Sequence, residues 1–167
     1  PETFPPQLRA YLESAVPRSA RRADHVLTDS EATRRDVIEL LGLPPERVTT
    51  LLLGVSDAFT PDAAPDERAR LRDTYAIGDR PYILAVGTVQ PRKNHTRLIA
   101  AVDRVRQVAD VDLVIVGRPA WLADPVLEAA AERDHVHLLG FADDADLPAL
   151  YRQAGVLAFP CLLYTSD

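Results

Sequence analysis

Two uninterrupted apolar runs, Tyr82-Ile83-Leu84-Ala85-Val86 and Leu113-Val114-Ile115-Val116, each closed by a glycine, constrain this chain more than any other feature. A strand without polar alternation has to be covered on both faces, and parallel sheets sandwiched between helices are the architecture that does so. The segment between the two runs supplies such a helix. Leu98, Ile99, Val102, Val105 and Val108 or Ala109 recur at three- and four-residue steps, while Arg97, Asp103, Arg104 and Arg106 fall on the opposite side. The fold class read from this rhythm is α/β, with parallel strands and flanking helices.

The same alternation begins near residue 24. His25 to Thr28 reads as a strand, Asp29 or Ser30 as the N-cap of a helix ending at Leu41, and Gly42 as its left-handed stop before Pro44-Pro45. Val48 to Leu53 reads as a second buried strand halted at Gly54. Residues 61–80 carry Pro61, Pro65 and a charged helix over 66–75, and their proline-rich, polar composition resembles an interdomain connection. Beyond the second apolar run, Val126 to Glu132 reads as a helix and Val136 to Leu139 as a strand ending at Gly140. A helix over Leu147 to Gln153 and a last strand over Val156 to Phe159 complete the pattern.

Composition narrows the function classes. A net charge of −6 removes general attraction to nucleic-acid phosphate, so no nucleic-acid partner is expected. No apolar run approaches the roughly 20 residues of a membrane-spanning helix, and no signal peptide is evident. One cysteine and four scattered histidines offer no zinc framework, and no metal is expected. The chain has no methionine, so Pro1 is not a translation start, and part of a longer protein is expected. Among 19 basic residues Lys93 is the only lysine.

That lysine lies in the loop Gly87-Thr88-Val89-Gln90-Pro91-Arg92-Lys93-Asn94, directly after the first apolar run. Ligands of open parallel sheets collect beyond the carboxyl ends of the strands, where helix N-termini present unpaired amides. Gly87 permits close backbone approach, Arg92 and Lys93 are adjacent cations, and Asn94 is placed to cap the next helix. The arrangement suits a phosphate or diphosphate. The alternative is that Arg92 and Lys93 only solvate a loop. No Gly-x-x-x-x-Gly-Lys-Ser/Thr, Gly-x-Gly-x-x-Gly or Gly-x-Ser-x-Gly occurs, which disfavours nucleotide triphosphatases, dinucleotide-dependent oxidoreductases and serine hydrolases. His95 is expected to be exposed or capping at a helix start. Asp143, Asp144 and Asp146 are read as helix caps, and Trp121 as filling a satellite core. One of His135 and His137, in or next to an expected strand, is read as facing inward and the other outward.

Ordered pieces of the chain resemble a known family. They are Ala23 to Glu31, Leu53-Gly54-Val55-Ser56 with Phe59, Val86 to Asn94, Val114 to Gly117, Val136 to Phe141, and Leu147 to Pro160. Their order and spacing are similar to those of the group 1 (family 4) glycosyltransferases, and the Gly-Thr-x-x-Pro-Arg-Lys-Asn loop is the most specific of them. The resemblance implies a retaining enzyme of the GT-B type, with two Rossmann-like domains facing across a cleft and a nucleotide sugar held by the second. On that basis residues 1–60 would be the end of the acceptor-side domain, 61–80 the linker, 81–160 the first part of the donor domain, and 161–167 a tail outside the family pattern. The architecture would therefore be an incomplete GT-B pair. Exposed sheet edges of two partial domains would promote association.

The resemblance implies substrate-binding roles for Gly87, Thr88, Arg92, Lys93 and Phe141. Lys93 would contact the donor diphosphate and Phe141 would lie against the nucleobase. Thr88 stands where many members have arginine, so Arg92 or Thr88 would assist Lys93. Gly54 resembles a glycine at the turn between the domains. The catalytic groups are expected outside the chain, because the family's paired glutamates should follow Phe159-Pro160 and the chain instead reads Cys161 to Asp167. The donor is a substrate, and no cofactor is implied. The implied activity is transfer of a hexose, mannose or glucose, to a saccharide or lipid-linked acceptor. With no membrane-spanning run and no signal peptide evident, the expected location is cytoplasmic, or peripheral at the inner face of the cell membrane. Competing readings are an epimerase or phosphorylase of the same fold, and a non-catalytic sugar-nucleotide-binding module or inactive remnant.

Overall fold

The computed structural model describes residues 3–162 of the 167, and the expectations for 163–167 lie outside them. The chain forms two compact units divided between Val55 and Ser56. The first contains helix α1 (Pro6–Arg22), strand β1 (Val26–Thr28), helix α2 (Glu31–Leu41) and strand β2 (Val48–Thr50). β1 and β2 pair in parallel, with Val26 opposite Val48 and Thr28 opposite Thr50. At the start of α2 the Thr33 amide donates to Ser30 Oγ at 3.1 Å, and at its end Gly42 adopts φ +69°. Such a cap contributes about 1 kcal/mol.

Two features of this unit depart from the sequence reading. α1 lies before the region in which the sequence pattern is read, and it carries Pro17 inside it, a position where a proline ordinarily ends a helix. The strand expected through Leu53 stops at Thr50. Its last sheet bond runs from the Leu51 amide to the Thr28 carbonyl at 2.8 Å. β1 ends there, so Leu52 and Leu53 have no strand to pair with and remain exposed.

The second unit contains α3 (Glu67–Tyr75), β3 (Tyr82–Val86), α4 (His95–Val105), β4 (Asp112–Val116), α5 (Asp124–Ala131), β5 (Val136–Gly140), α6 (Leu147–Gln153) and β6 (Val156–Leu157). Four parallel strands lie in the order β5-β4-β3-β6. Successive side chains of a strand point to opposite faces, so each apolar run feeds two cores. Ala85, Leu113 and Ile115 pack with Leu98, Ile99 and Val102 of α4 and Val126 of α5. Tyr82, Leu84, Val114 and Val116 pack with Leu71 of α3 and Leu150 of α6. Leu84 is fully buried, so Leu84→Ala should cost about 3 kcal/mol of stability, measured as a lower urea midpoint at unchanged slope.

The stripe expected on α4 is shorter than its periodicity indicated. The helix ends at Val105, and Val105 and Val108 are exposed. The last strand is likewise only Val156–Leu157, whose side chains are exposed beside β3.

Part of the stretch expected to be a linker is packed. Leu71 enters the core, and the buried Glu67 carboxylate accepts from Arg152 Nε at 3.2 Å and from Gln153 Nε2 at 3.1 Å. The Arg152 guanidinium holds the Glu67 carboxyl below its ordinary range against the opposing effect of burial. A folded pKa below the unfolded one gives stability that is complete above the unfolded value and lost as pH falls through the folded value. Acid titration of stability should therefore show a decline below about pH 4.5 that Arg152→Leu flattens, read from urea midpoints across the acid range.

Candidate donor-binding site

Three neighbouring strands of the second unit end in glycines with positive φ: Gly87 at +143°, Gly117 at +156° and Gly140 at +68°. Backbone bonds hold these ends together. The Gly87 amide donates to the Val116 carbonyl at 2.8 Å, and the Gly117 amide to the Gly140 carbonyl at 2.7 Å. A Cβ at Gly117 would lie 2.1 Å from the Gly87 carbonyl oxygen, so only glycine allows this approach. The exits of β3 and β4 then run side by side, with the Val89 amide donating to the Arg118 carbonyl at 3.0 Å.

Beyond these strand ends lies an open cavity of about 450 Å³, a volume within the range of small-ligand sites. Gly87, Thr88 and Phe141 line it, as do Arg118 and Asp144, which the sequence reading did not assign to it. Phe141 is exposed, and the Arg118 guanidinium sits over its ring at 4.8 Å. A signal for Arg118 was present in the sequence: it follows a strand-ending glycine as Thr88 does.

Lys93 packs against Gly87. A Cβ built at Gly87 would be 3.2 Å from Lys93 Cε and 3.6 Å from Nζ, so the missing side chain leaves room for the lysine. The ammonium is also 4.3 Å from the centre of the Phe159 ring, a cation–π contact that limits its wandering. Arg92 does not line the cavity. Its guanidinium is directed at Cys161 Sγ at 3.4 Å, and its carbonyl accepts from the Leu162 amide at 2.9 Å. The cation at the cavity beside Lys93's loop is Arg118, not the adjacent Arg92.

The loop before α4 differs from expectation in two ways. Pro91–Lys93 forms a 3-10 turn, and Asn94 takes a left-handed conformation at φ +61° without a side-chain capping bond. His95 is buried rather than exposed, because the tight turn rotates the first residue of α4 inward. Burial pushes its pKa down and the Lys93 charge adds to this, so it is neutral at physiological pH.

The other aspartates and histidines are engaged elsewhere. Asp146 makes no capping bond; it pairs with Arg70 and accepts from Tyr75 Oη at 2.8 Å, and Arg70 holds its carboxyl below the ordinary range. Asp143 accepts from the Ala145 amide at 3.1 Å. His135 and His137 do not divide into an inward and an outward residue: positions two apart share a face under strand alternation, both are half-buried, and each meets an aspartate, Asp103 at 3.0 Å and Asp112 at 3.2 Å. Trp121 is half-buried. Among the described residues no cluster of three or more potential metal ligands occurs.

A parallel sheet whose strands end in glycines around a cation-bordered cavity is the arrangement in which open α/β domains collect ligands. The sequence pattern of the family described as glycosyl transferases group 1 matches residues 67–163, and this chain belongs to that family. Among curated relatives, O-antigen chain mannosyltransferase B of Escherichia coli is 28% identical over 96% of this chain and 43% of its own length. GDP-mannose-dependent alpha-(1-6)-phosphatidylinositol monomannoside mannosyltransferase of Mycolicibacterium smegmatis is 35% identical over 89% of this chain and 39% of its own length. The chain thus spans about two fifths of these relatives. Of solved structures, Anabaena Alr3699/HepE in complex with UDP and glucose aligns with a TM-score of 0.76 at 22% identity, over 99% of this chain and 44% of that one. WaaG, a glycosyltransferase involved in lipopolysaccharide biosynthesis, aligns with a TM-score of 0.65 at 20% identity, over 92% of this chain and 45% of that one. These likenesses agree with the GT-B fold.

Proposed function

We propose that Gly87, Thr88 and Lys93 hold the diphosphate, and Phe141 the base, of a nucleotide-sugar donor. The full-length protein would use it as a retaining glycosyltransferase, moving a hexose, mannose or glucose, to a saccharide or lipid-linked acceptor. The observation that carries this reading is the placement of Lys93 against Gly87, which follows β3 and lines a cavity of about 450 Å³. In the reaction the bond from the anomeric carbon to the diphosphate oxygen breaks, a bond to the acceptor oxygen forms, and the acceptor hydroxyl's proton passes to the departing diphosphate. The leaving diphosphate takes the electron pair, and a fixed ammonium and loop amides stabilise that charge. The relatives support the class: two carry mannosyltransferase in their names, and one specifies GDP-mannose as donor.

Among the described residues no helix is long and apolar enough to cross a membrane. We place the enzyme in the cytoplasm, attached peripherally to the inner membrane face when its acceptor is lipid-linked. The test of the reading is to incubate the full-length protein with nucleotide sugars and candidate acceptors. Release of nucleoside diphosphate together with a new glycosidic linkage is expected. Donor binding with no linkage formed would favour a binding module instead.

A further inference from the structure

The donor reading leaves the base open, and the cavity's two unpaired charges narrow it. Asp144 and Arg118 both line the space beside Phe141. Neither the Asp144 carboxylate nor the Arg118 guanidinium forms an ion pair or a hydrogen bond with any described residue. Their neighbours behave differently: Asp143 accepts from the Ala145 amide, and Asp146 is paired with Arg70. The Arg118 guanidinium lies over the Phe141 ring, 4.8 Å from its centre, and this cation–π contact uses none of its five N–H donors. The two groups form no ion pair with each other, and both border the same open cavity of about 450 Å³.

Resting on the donor-site reading, we infer that this cavity selects guanine, with Asp144 accepting from its N1–H and N2–H and Arg118 donating to its O6 and N7. An arginine offers only donors and a carboxylate only acceptors, so the base between them must present two adjacent acceptors and two adjacent donors. Guanine does so on its O6/N7 and N1/N2 edges. Uracil has a single N3–H flanked by two carbonyl oxygens, which repel a carboxylate approaching that donor. Adenine has donors only on N6, flanked by the ring acceptors N1 and N7. Of these bases, guanine alone satisfies both side chains.

Calorimetric titration of the full-length protein with GDP, UDP and ADP tests the assignment. GDP should bind at least about tenfold more tightly than UDP or ADP. Asp144→Asn should lower GDP affinity by about tenfold or more and change UDP affinity by less than about twofold; Arg118→Gln should act in the same direction. Lys93→Ala should weaken all three diphosphates alike. If all three bind, all depend on Lys93, and GDP holds no advantage or keeps it in Asp144→Asn, the guanine assignment fails and the diphosphate site stands. If no nucleotide binds, both fail. Asp144 and Arg118 are exposed, and unchanged thermal melting would show that the variants fold. Should either variant not fold, the wild-type ranking of GDP against UDP decides.

Discussion

Lys93→Ala in the full-length enzyme is expected to lower the rate of sugar transfer by about a hundredfold to a thousandfold, the scale seen when one preorganised stabiliser of developing charge is removed. The lysine's position explains why a neighbour cannot take over. Arg92, next in sequence, is directed at Cys161 and contacts the backbone near Leu162. Arg118 sits over Phe141 among the residues that line the cavity, whereas Lys93 lies behind Gly87 and is not one of them. Because charge builds on the diphosphate mostly as the sugar departs, the loss should fall on kcat more than on KM. Lys93→Arg tests geometry separately. The lysine stem lies against Gly87, and a planar guanidinium cannot place its charge where the compact ammonium sits, so Lys93→Arg should restore less than about a tenth of the lost rate. Steady-state kinetics with saturating acceptor reads both. Near-normal turnover in Lys93→Ala would remove the lysine from the mechanism.

Gly117→Ala should be worse for the fold than any core truncation of this unit. The new methyl would meet the Gly87 carbonyl oxygen at 2.1 Å and its carbon at 2.5 Å, both backbone atoms held by the ladder between β3 and β4. Neither can swing aside as a side-chain tip would. The φ of +156° adds strain for any L-residue. Together these should cost about 4 kcal/mol or more, measured by chemical denaturation, with donor binding lost because β3 and β4 can no longer run together beneath the cavity. Gly140→Ala is the informative comparison. Its added Cβ meets nothing within 4 Å, so only the strain of φ +68° remains and the effect should be about 1–2 kcal/mol. Equal costs at the two positions would show that the close approach at Gly117 is not what requires glycine.

Much of the second unit was legible because its strands are buried on both faces. Tyr82 to Val86 and Leu113 to Val116 can be nothing but central parallel strands, and the glycines after them mark where the chain turns over the ligand space. The boundaries that failed are those at margins. Val105 and Val108 continue the helical period but extend past the sheet they would cover, and Leu52 and Leu53 are apolar without a partner strand. Periodicity reports what a residue could bury, not whether a surface is there to receive it. His95 and Asp146 failed for a related reason, since a polar side chain near a helix start reads as a cap unless the tertiary contact that buries it is known.

Local order in the sequence determined the class of fold, the family, and the loop that carries the lone lysine, since these depend on residue types at short, fixed spacings. Only the tertiary structure decided which cations belong to the cavity. It turned Arg92 toward Cys161, folded Lys93 over Gly87, and set Arg118 and Asp144 beside Phe141. Those partners come from three different strand ends, separated in sequence by 20 residues or more, roughly, and brought together by pairing of β3, β4 and β5. Charge attraction and stacking act over a few ångströms of space, and no spacing along the chain encodes which side chains will share it.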